Sequence, residues 1–146
     1  MSLDGACMEA GRTAAACAMI SRMRHRGLTI DAFKATGVSL RRDILAMEDS
    51  GARRSMIFTD LGVVTTTPLN GPALTRTMLT ELSAGRPDVI VFELGDGILG
   101  AYGVEAILDA ADIRQSLTAL VLSANDPVAA WGGVKLLRER FGIEPA

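Results

Sequence analysis

The sequence predicts one α/β domain of three layers, in which helices cover both faces of a mostly parallel β-sheet. The clearest evidence is the segment 88–94 (DVIVFEL), because its nearly continuous apolar run is typical of a parallel strand buried on both faces. A second buried strand is predicted at 117–123, and helix-forming segments alternate with the strands. The length of 146 residues fits a single domain with a continuous core.

The remaining elements follow from local composition and spacing. Helices are predicted where good helix formers or apolar residues at helical spacing recur, at 9–26, 44–47 (part of a short helix), 69–84, 104–111 and 127–141. Further strands are predicted where β-favouring residues cluster, at 28–35, 56–58 and 63–67.

Composition narrows the function classes. The formal net charge of −2 gives no reason to expect nucleic acid or an anionic membrane as a partner, and no apolar run is long enough to span a bilayer. Cys7 and Cys17 are too few for a disulfide framework and indicate a reducing compartment. With His25 as the single histidine, a catalytic cysteine and a structural zinc site are both disfavoured. We expect a cytoplasmic protein.

A loop suited to phosphate binding precedes the first predicted helix, at residues 5–13 (GACMEAGRT). Gly11 and Thr13 stand where the second glycine and the metal-binding hydroxyl of such a loop belong, and Arg12 occupies the lysine position. The dipole of the following helix has the right polarity for an anion. Five residues rather than four separate the two glycines. A glycine turn that caps an alanine-rich helix is the alternative.

Charged residues stand at the ends of the predicted strands, where α/β sheets bind their ligands. Glu93 ends a buried strand and is a candidate Mg²⁺ ligand, with a solvent-facing carboxylate as the alternative. Lys34 ends another strand and could meet phosphates or an anionic substrate, unless it is an exposed strand-end lysine. Asp43 follows in a polar connection and could supply a second metal ligand or belong to a solvated cluster. Asp96, between two glycines, is interpreted as a turn residue.

The strand that should precede the phosphate loop is weak in the sequence. Only Leu3 is strongly apolar before Gly5, so the first strand is predicted to be missing or vestigial. We therefore expect residues 1–146 to be one domain of a longer polypeptide. A gap in the sheet would leave an unpaired edge, which predicts a homo-oligomer or contacts with the rest of a longer chain.

These segments together resemble the dethiobiotin synthetase group of P-loop enzymes. Residues 5–13 fit that family's spacing GTDTxVGKT at both glycines and at the threonine. Lys34 matches a strand-end lysine of the family, and residues 40–46 (LRRDILA) resemble its segment with a magnesium-binding aspartate, here Asp43. Residues 88–97 resemble its strand ending in EGAGG, which makes Glu93 the second acidic ligand. The order of the segments covers about two thirds of the chain.

The resemblance implies a P-loop NTPase-like domain that binds ATP and Mg²⁺ and transfers or hydrolyses the γ-phosphoryl group, with an unknown anionic small molecule as a further partner. The implied phosphate-binding residues are Glu9, Ala10, Gly11, Arg12 and Thr13. The implied metal ligands are Thr13, Asp43 and Glu93. The implied catalytic residues are Arg12 and Lys34.

Two other interpretations remain open. Arg12 in place of lysine and the weak first strand also fit a regulatory or assembly domain that has kept the fold and lost catalysis. A carrier for another phosphorylated ligand, such as a coenzyme, would bind phosphate without a preference for adenine. The sequence alone leaves open whether the protein is an enzyme.

Overall fold

The computed structural model describes residues 2–5, 11–38 and 40–146. Strands and helices alternate along the chain, in the order β1 (Ser2–Gly5), α1 (Arg12–His25), β2 (Ile30–Lys34), α2 (Arg41–Asp49), β3 (Arg54–Ile57), a 3₁₀ turn (Phe58–Leu61), α3 (Gly71–Ser83), β4 (Val89–Glu93), α4 (Val104–Asp109), α5 (Ala111–Ser116), β5 (Leu120–Ser123), α6 (Pro127–Leu136) and a π-helical turn (Leu137–Phe141).

The five strands form one parallel sheet in the order β3-β2-β4-β1-β5. Side chains alternate between its two faces. Ala32 and Val91 pack with α1 in one apolar cluster, while Phe33 and Phe92 stack at 4.8 Å between ring centroids in the cluster that contains α3 to α5. The sheet therefore separates two helical layers, which confirms the predicted three-layer α/β fold.

The first strand is present, contrary to the expectation that it is missing or vestigial. β1 has four residues and lies between β4 and β5, with Leu3 in register with Glu93 on one side and Val121 on the other. Backbone hydrogen bonds to two neighbours hold a strand that is too short to give an apolar pattern. The predicted gap in the sheet does not exist, so the unpaired edge that suggested self-association is absent at this position.

Several element boundaries also differ from the sequence prediction, and three of these differences change the type, extent or continuity of an element. Residues 63–67 form no strand and contribute a single antiparallel bridge between Thr65 and Val38, since among the described residues no strand pairs with them in a longer ladder. The short helix around 44–47 extends to Arg41–Asp49, which moves Asp43 from a connection into the first helical turn. The predicted helix 104–111 divides into α4 and α5 at Ala110, whose extended backbone interrupts the helical ladder.

In the part of the chain that the structure describes, every helix is too short or too polar to cross a bilayer.

Candidate functional site

The carboxyl ends of β2 and β4 place two charged side chains side by side. Lys34 and Glu93 are register partners at the ends of these adjacent parallel strands. Lys34 lies two residues after Ala32, and Glu93 lies two residues after Val91. Ala32 and Val91 pack with α1. Because side chains alternate between the two faces of a strand, Lys34 and Glu93 also face α1. Both are buried, with 7% and 3% of their surface exposed. The parallel register therefore creates a charged pocket at the rim of an apolar layer.

Helix α1 begins at the same rim. Thr13 Oγ1 donates a hydrogen bond to Glu93 Oε2 over 3.0 Å. Arg12 is buried and its Nε lies 4.0 Å from Glu93 Oε1. The N-cap is Gly11, with a left-handed φ of 76°, and this residue has no side chain that could accept a hydrogen bond from the N–H groups of the first turn. These N–H groups and the helix dipole form a ready site for an anion.

Asp43 joins the rim from the first turn of α2. Lys34 Nζ lies 2.5 Å from Asp43 Oδ2, and both side chains are largely buried. Arg42 approaches the other carboxylate oxygen, at 3.8 Å, from a mostly exposed position. Arg41 turns away from Asp43 to pair with Asp60 at 3.5 Å. Of the two arginines, only Arg42 therefore lies beside the proposed metal ligand.

Burial raises the pKa of Glu93 above its ordinary value. Asp43 raises this pKa further because its negative charge repels the ionised carboxylate, whereas Lys34, the Thr13 hydroxyl and Arg12 act in the opposite direction. Desolvation is the largest contribution, so the neighbouring cations do not fully compensate the charge of this carboxylate. A further cation beside Glu93 would stabilise its ionised form.

Buried hydrogen bonds fix the loops around the rim. Thr36 Oγ1 donates to the carbonyl oxygen of Gly95 over 3.0 Å, which ties the loop after β2 to the loop after β4. Thr66 Oγ1 accepts from Gly37 N at 2.9 Å and donates to the carbonyl oxygen of Tyr102 at 2.9 Å. Thr66 is thus the link between three loops, and its hydroxyl is almost fully buried. The rim is a preorganised framework rather than a set of independent loops.

A cleft of about 200 Å³ opens within this framework. The described residues that line it are Arg12, Lys34, Gly37, Val38, Leu40, Glu93, Gly95, Asp96 and Tyr102. Its lining contains two cations and two carboxylates. Thr13 is hydrogen-bonded to Glu93 of the lining, and Asp43 is hydrogen-bonded to Lys34. Its size suits the terminal phosphates of a nucleotide rather than a whole nucleotide, which would extend beyond the cleft.

The oxygen donors at the rim fit a magnesium ion. Thr13, Glu93 and Asp43 offer a hydroxyl and two carboxylates, the ligand types that Mg²⁺ prefers. Among the described residues no three histidine, cysteine, aspartate or glutamate side chains converge on one point. Mg²⁺ commonly takes one or two carboxylates and completes its octahedron with phosphate oxygens and water. The donor set therefore suits a metal that arrives with a phosphate ligand.

The structure brings most of the sequence candidates to one place. Gly11, Arg12, Thr13, Lys34, Asp43 and Glu93 lie at the same rim of the sheet. Two candidate phosphate-binding residues, Glu9 and Ala10, lie outside the described residues, as does Cys7.

The sequence interpretation missed the residues that hold the rim together. Thr36, Thr66 and Tyr102 carry no motif signal, because their contacts join segments far apart in the chain. Asp96 is a turn residue as interpreted, with a left-handed φ of 72°, but it also lines the cleft. The sequence did contain a signal for this second position: Asp96 stands between two glycines, three residues after the strand-end carboxylate of Glu93.

Comparison with known proteins adds a fold relationship. No family model matches the chain, and no curated protein matches it. Among solved structures, the chain is similar to the signal recognition particle receptor FtsY from Elizabethkingia anophelis, with a TM-score of 0.68. The match covers 97% of this chain and 47% of that chain, so the chain spans about half the length of that structure. At 10% identity the likeness shows the fold alone, a P-loop NTPase-like α/β fold. The dethiobiotin synthetase resemblance stays a prediction.

Proposed function

We propose that this chain is a nucleotide-binding domain that holds the phosphates of a nucleoside triphosphate and Mg²⁺ at the rim formed by α1, β2 and β4. The observation that carries the proposal is the 3.0 Å hydrogen bond from Thr13, in the first turn of α1, to Glu93 at the end of β4. It brings a hydroxyl and a buried carboxylate together at a helix N-terminus whose N-cap is a glycine, where phosphate and metal would be bound next to each other.

Each proposed residue has a separate role in this arrangement. The backbone of Glu9, Ala10 and Gly11 would surround the phosphates, with the N–H groups of Arg12 and Thr13 continuing the cradle into the helix. Thr13, Asp43 and Glu93 would hold Mg²⁺.

The two cations of the rim would act on the phosphates. The Arg12 and Lys34 side chains would neutralise charge on the transferred phosphoryl group. Since phosphoryl transfer depends mainly on positioning and charge neutralisation, these groups would suffice for transfer or hydrolysis.

The nucleotide and the acceptor are finer parts of the proposal. The dethiobiotin synthetase resemblance favours ATP over GTP and an anionic small molecule as the second partner. Both nucleotides would place the same triphosphate on α1, so the rim itself does not distinguish them. The proposed cytoplasmic location agrees with a reaction that uses a nucleoside triphosphate and Mg²⁺.

A second candidate is a domain that keeps this fold without catalysis. Arg12 supports it, because a buried guanidinium beside Glu93 stands in the cleft lining where a P-loop would have a lysine ammonium. The planar arginine head and the compact ammonium are not interchangeable at a tight phosphate site. In this alternative the chain binds nucleotide, or another phosphorylated ligand such as a coenzyme, without turning it over.

Isothermal titration of the chain with ATP and with GTP, each with and without Mg²⁺, tests the proposal. Thr13→Ala removes the hydroxyl, while Thr77→Ala is a matched control because Thr77 is exposed on α3 and its hydroxyl donates to the carbonyl oxygen of Ala73 in the same helix. We expect Mg²⁺-dependent binding that Thr13→Ala weakens by about tenfold or more, the loss of roughly one good hydrogen bond or metal ligand. Binding of neither nucleotide would contradict the proposal. Binding without turnover would select the second candidate.

A further inference from the structure

The cleft contains a third carboxylate with a different environment from the other two. Glu93 accepts the Thr13 hydroxyl and faces Arg12, and Asp43 is paired with Lys34. Asp96 lines the cleft half-buried, and within the described part of the chain its carboxylate accepts no hydrogen bond and forms no ion pair. Of these three carboxylates, Asp96 is the one without a side-chain partner among the described residues.

The backbone holds Asp96 in an unusual conformation. Its φ of 72° lies in the left-handed region, which a residue with a side chain adopts at a cost. The loop around it is tightly packed: a Cβ on Gly95 would lie 2.5 Å from the carbonyl oxygen of Thr36, and one on Gly100 would lie 2.5 Å from the carbonyl oxygen of Asp96. These close approaches restrict the backbone of the loop that carries Asp96 into the cleft lining.

The Asp96 carboxylate lies near Lys34, at the proposed phosphate end of the cleft. Asp96 Oδ2 lies 3.3 Å from the point where a Cβ on Gly37 would stand, and Lys34 Cε lies 3.6 Å from the same point. The carboxylate and the lysine stem therefore border the same small space above Gly37. Absence of a side chain at Gly37, whose φ is 111°, keeps that space open. A group attacking a phosphate held by Lys34 would pass through it.

We propose that Asp96 is the general base of this site, which rests on the proposed nucleotide-binding function. The Asp96 carboxylate takes the proton from the attacking O–H group as the new O–P bond forms at the γ-phosphorus. The bond from that phosphorus to the bridging oxygen breaks, and its electron pair leaves with the nucleoside diphosphate. For hydrolysis the acceptor is water, and the products are the diphosphate and inorganic phosphate.

Two variants separate this role from a role in the turn. Asp96→Asn keeps the shape and tolerates the left-handed backbone, and Asp96→Gly removes the strain together with the carboxylate. Asp49→Asn is the control, because Asp49 is an exposed carboxylate at the end of α2, away from the cleft lining. The readouts are the dissociation constant for the Mg²⁺–nucleotide complex by calorimetry and the single-turnover rate of phosphate release with saturating nucleotide.

The proposal predicts that both Asp96 variants keep the wild-type dissociation constant. Asp96→Asn should keep the wild-type melting temperature, and Asp96→Gly should melt at the same or a higher temperature because it relieves the left-handed strain. Their single-turnover rates should fall by about 10²–10⁴-fold, the usual contribution of a general base, while Asp49→Asn matches wild type. A wild-type rate in either Asp96 variant would overturn the role of Asp96, and so would a wild-type protein that binds nucleotide without releasing phosphate. A wild-type protein that does not bind nucleotide would instead overturn the proposed function itself.

Discussion

Lys34 and Asp43 form an ion pair that is largely shielded from water, with 2.5 Å between Nζ and Oδ2. Lys34 ends β2 and Asp43 lies in the first turn of α2, nine residues later. Because Asp43 is a proposed metal ligand and Lys34 a proposed phosphate ligand, each neutralises the other while neither ligand is bound. This pairing reduces the free-energy cost of burying the two charges at the rim. Binding of Mg²⁺ to Asp43 and of phosphate to Lys34 would replace part of the contact between the two side chains.

The environment of Glu93 predicts a pH-dependent stability effect. Its pKa in the folded protein is raised above the ordinary 4.5, so its contribution favours the folded state below pH 4.5 and is lost as pH rises through the folded pKa. Glu93→Gln removes this titration. We expect the variant to melt at a higher temperature than wild type at pH 7, with the difference shrinking toward zero near pH 4.

Thermal melts between pH 4 and 8 check this expectation. Glu81→Gln is the control, since Glu81 is exposed on α3, and α3 contributes no residue to the described lining of the cleft. A Glu93→Gln variant that is less stable than wild type at pH 7 would show that the Thr13 and Arg12 contacts outweigh desolvation.

Arg12 is predicted to contribute to the affinity of the proposed site for phosphate. Its guanidinium is buried next to Glu93, so removing it in Arg12→Ala should weaken nucleotide binding by about tenfold or more and leave Glu93 less compensated. Arg12→Lys should keep or tighten binding, because an ammonium is the compact point charge that P-loops use. Titration calorimetry with the two variants checks the order. Equal affinity for Arg12→Ala and wild type would remove Arg12 from the phosphate site.

Gly95 is predicted to tolerate no side chain. A Cβ there would meet the carbonyl oxygen of Thr36 at 2.5 Å, so Gly95→Ala must displace backbone in one of two tied loops. We expect a loss of about 1–3 kcal/mol in the free energy of unfolding, measured by chemical denaturation.

Gly132→Ala provides the matched comparison. Gly132 lies within α6, and an added Cβ has no neighbour within 4 Å among the described atoms. This substitution should stabilise the protein by about 0.5–1 kcal/mol because alanine favours the helix. A Gly95→Ala variant as stable as Gly132→Ala would mean that the rim loops can separate without cost.

At the opposite end of the sheet, Arg53 supports a fully buried carboxylate. Arg53 Nε and Nη2 donate to Asp31 at 3.0 and 2.8 Å, and Asp31 in β2 has no exposed surface. Arg53→Met would leave that charge without its partner and should lower the melting temperature clearly. Arg54→Met, at the adjacent exposed position, should have little effect. Equal melting temperatures for the two variants would contradict this account.

The sheet could be predicted where burial leaves a strong pattern in the sequence. β4 is apolar almost throughout, so its strand and the carboxylate at its end are both evident. β1 could not be predicted, because four residues held between two neighbours need no apolar run of their own. For residues 63–67 the error was the opposite, because a strand was predicted where none forms. β-favouring residues form a strand only where a neighbouring strand supplies hydrogen bonds.

The sequence could indicate where the candidate residues lie along the chain, but not which contacts they make with one another. Glycine spacing and strand ends indicate Gly11, Thr13 and Glu93, because local sequence fixes where loops and helices begin. The pairing of Lys34 with Asp43 depends on how far α2 extends toward its N-terminus, and the sequence places Asp43 outside that helix. The Thr66 link joins loops from three parts of the chain, a relationship that exists only after folding.

The central claim is that a metal and a triphosphate bind together at the rim beside Thr13 and Glu93. A crystal structure with Mn²⁺ in place of Mg²⁺ and a non-hydrolysable nucleoside triphosphate tests it most directly, because anomalous scattering locates the manganese. The account predicts one metal peak at about 2.0–2.2 Å from the Thr13 hydroxyl, with phosphate oxygens in its coordination sphere and Glu93 or Asp43 beside it. A nucleotide bound elsewhere, or a metal peak away from this rim, would contradict the account.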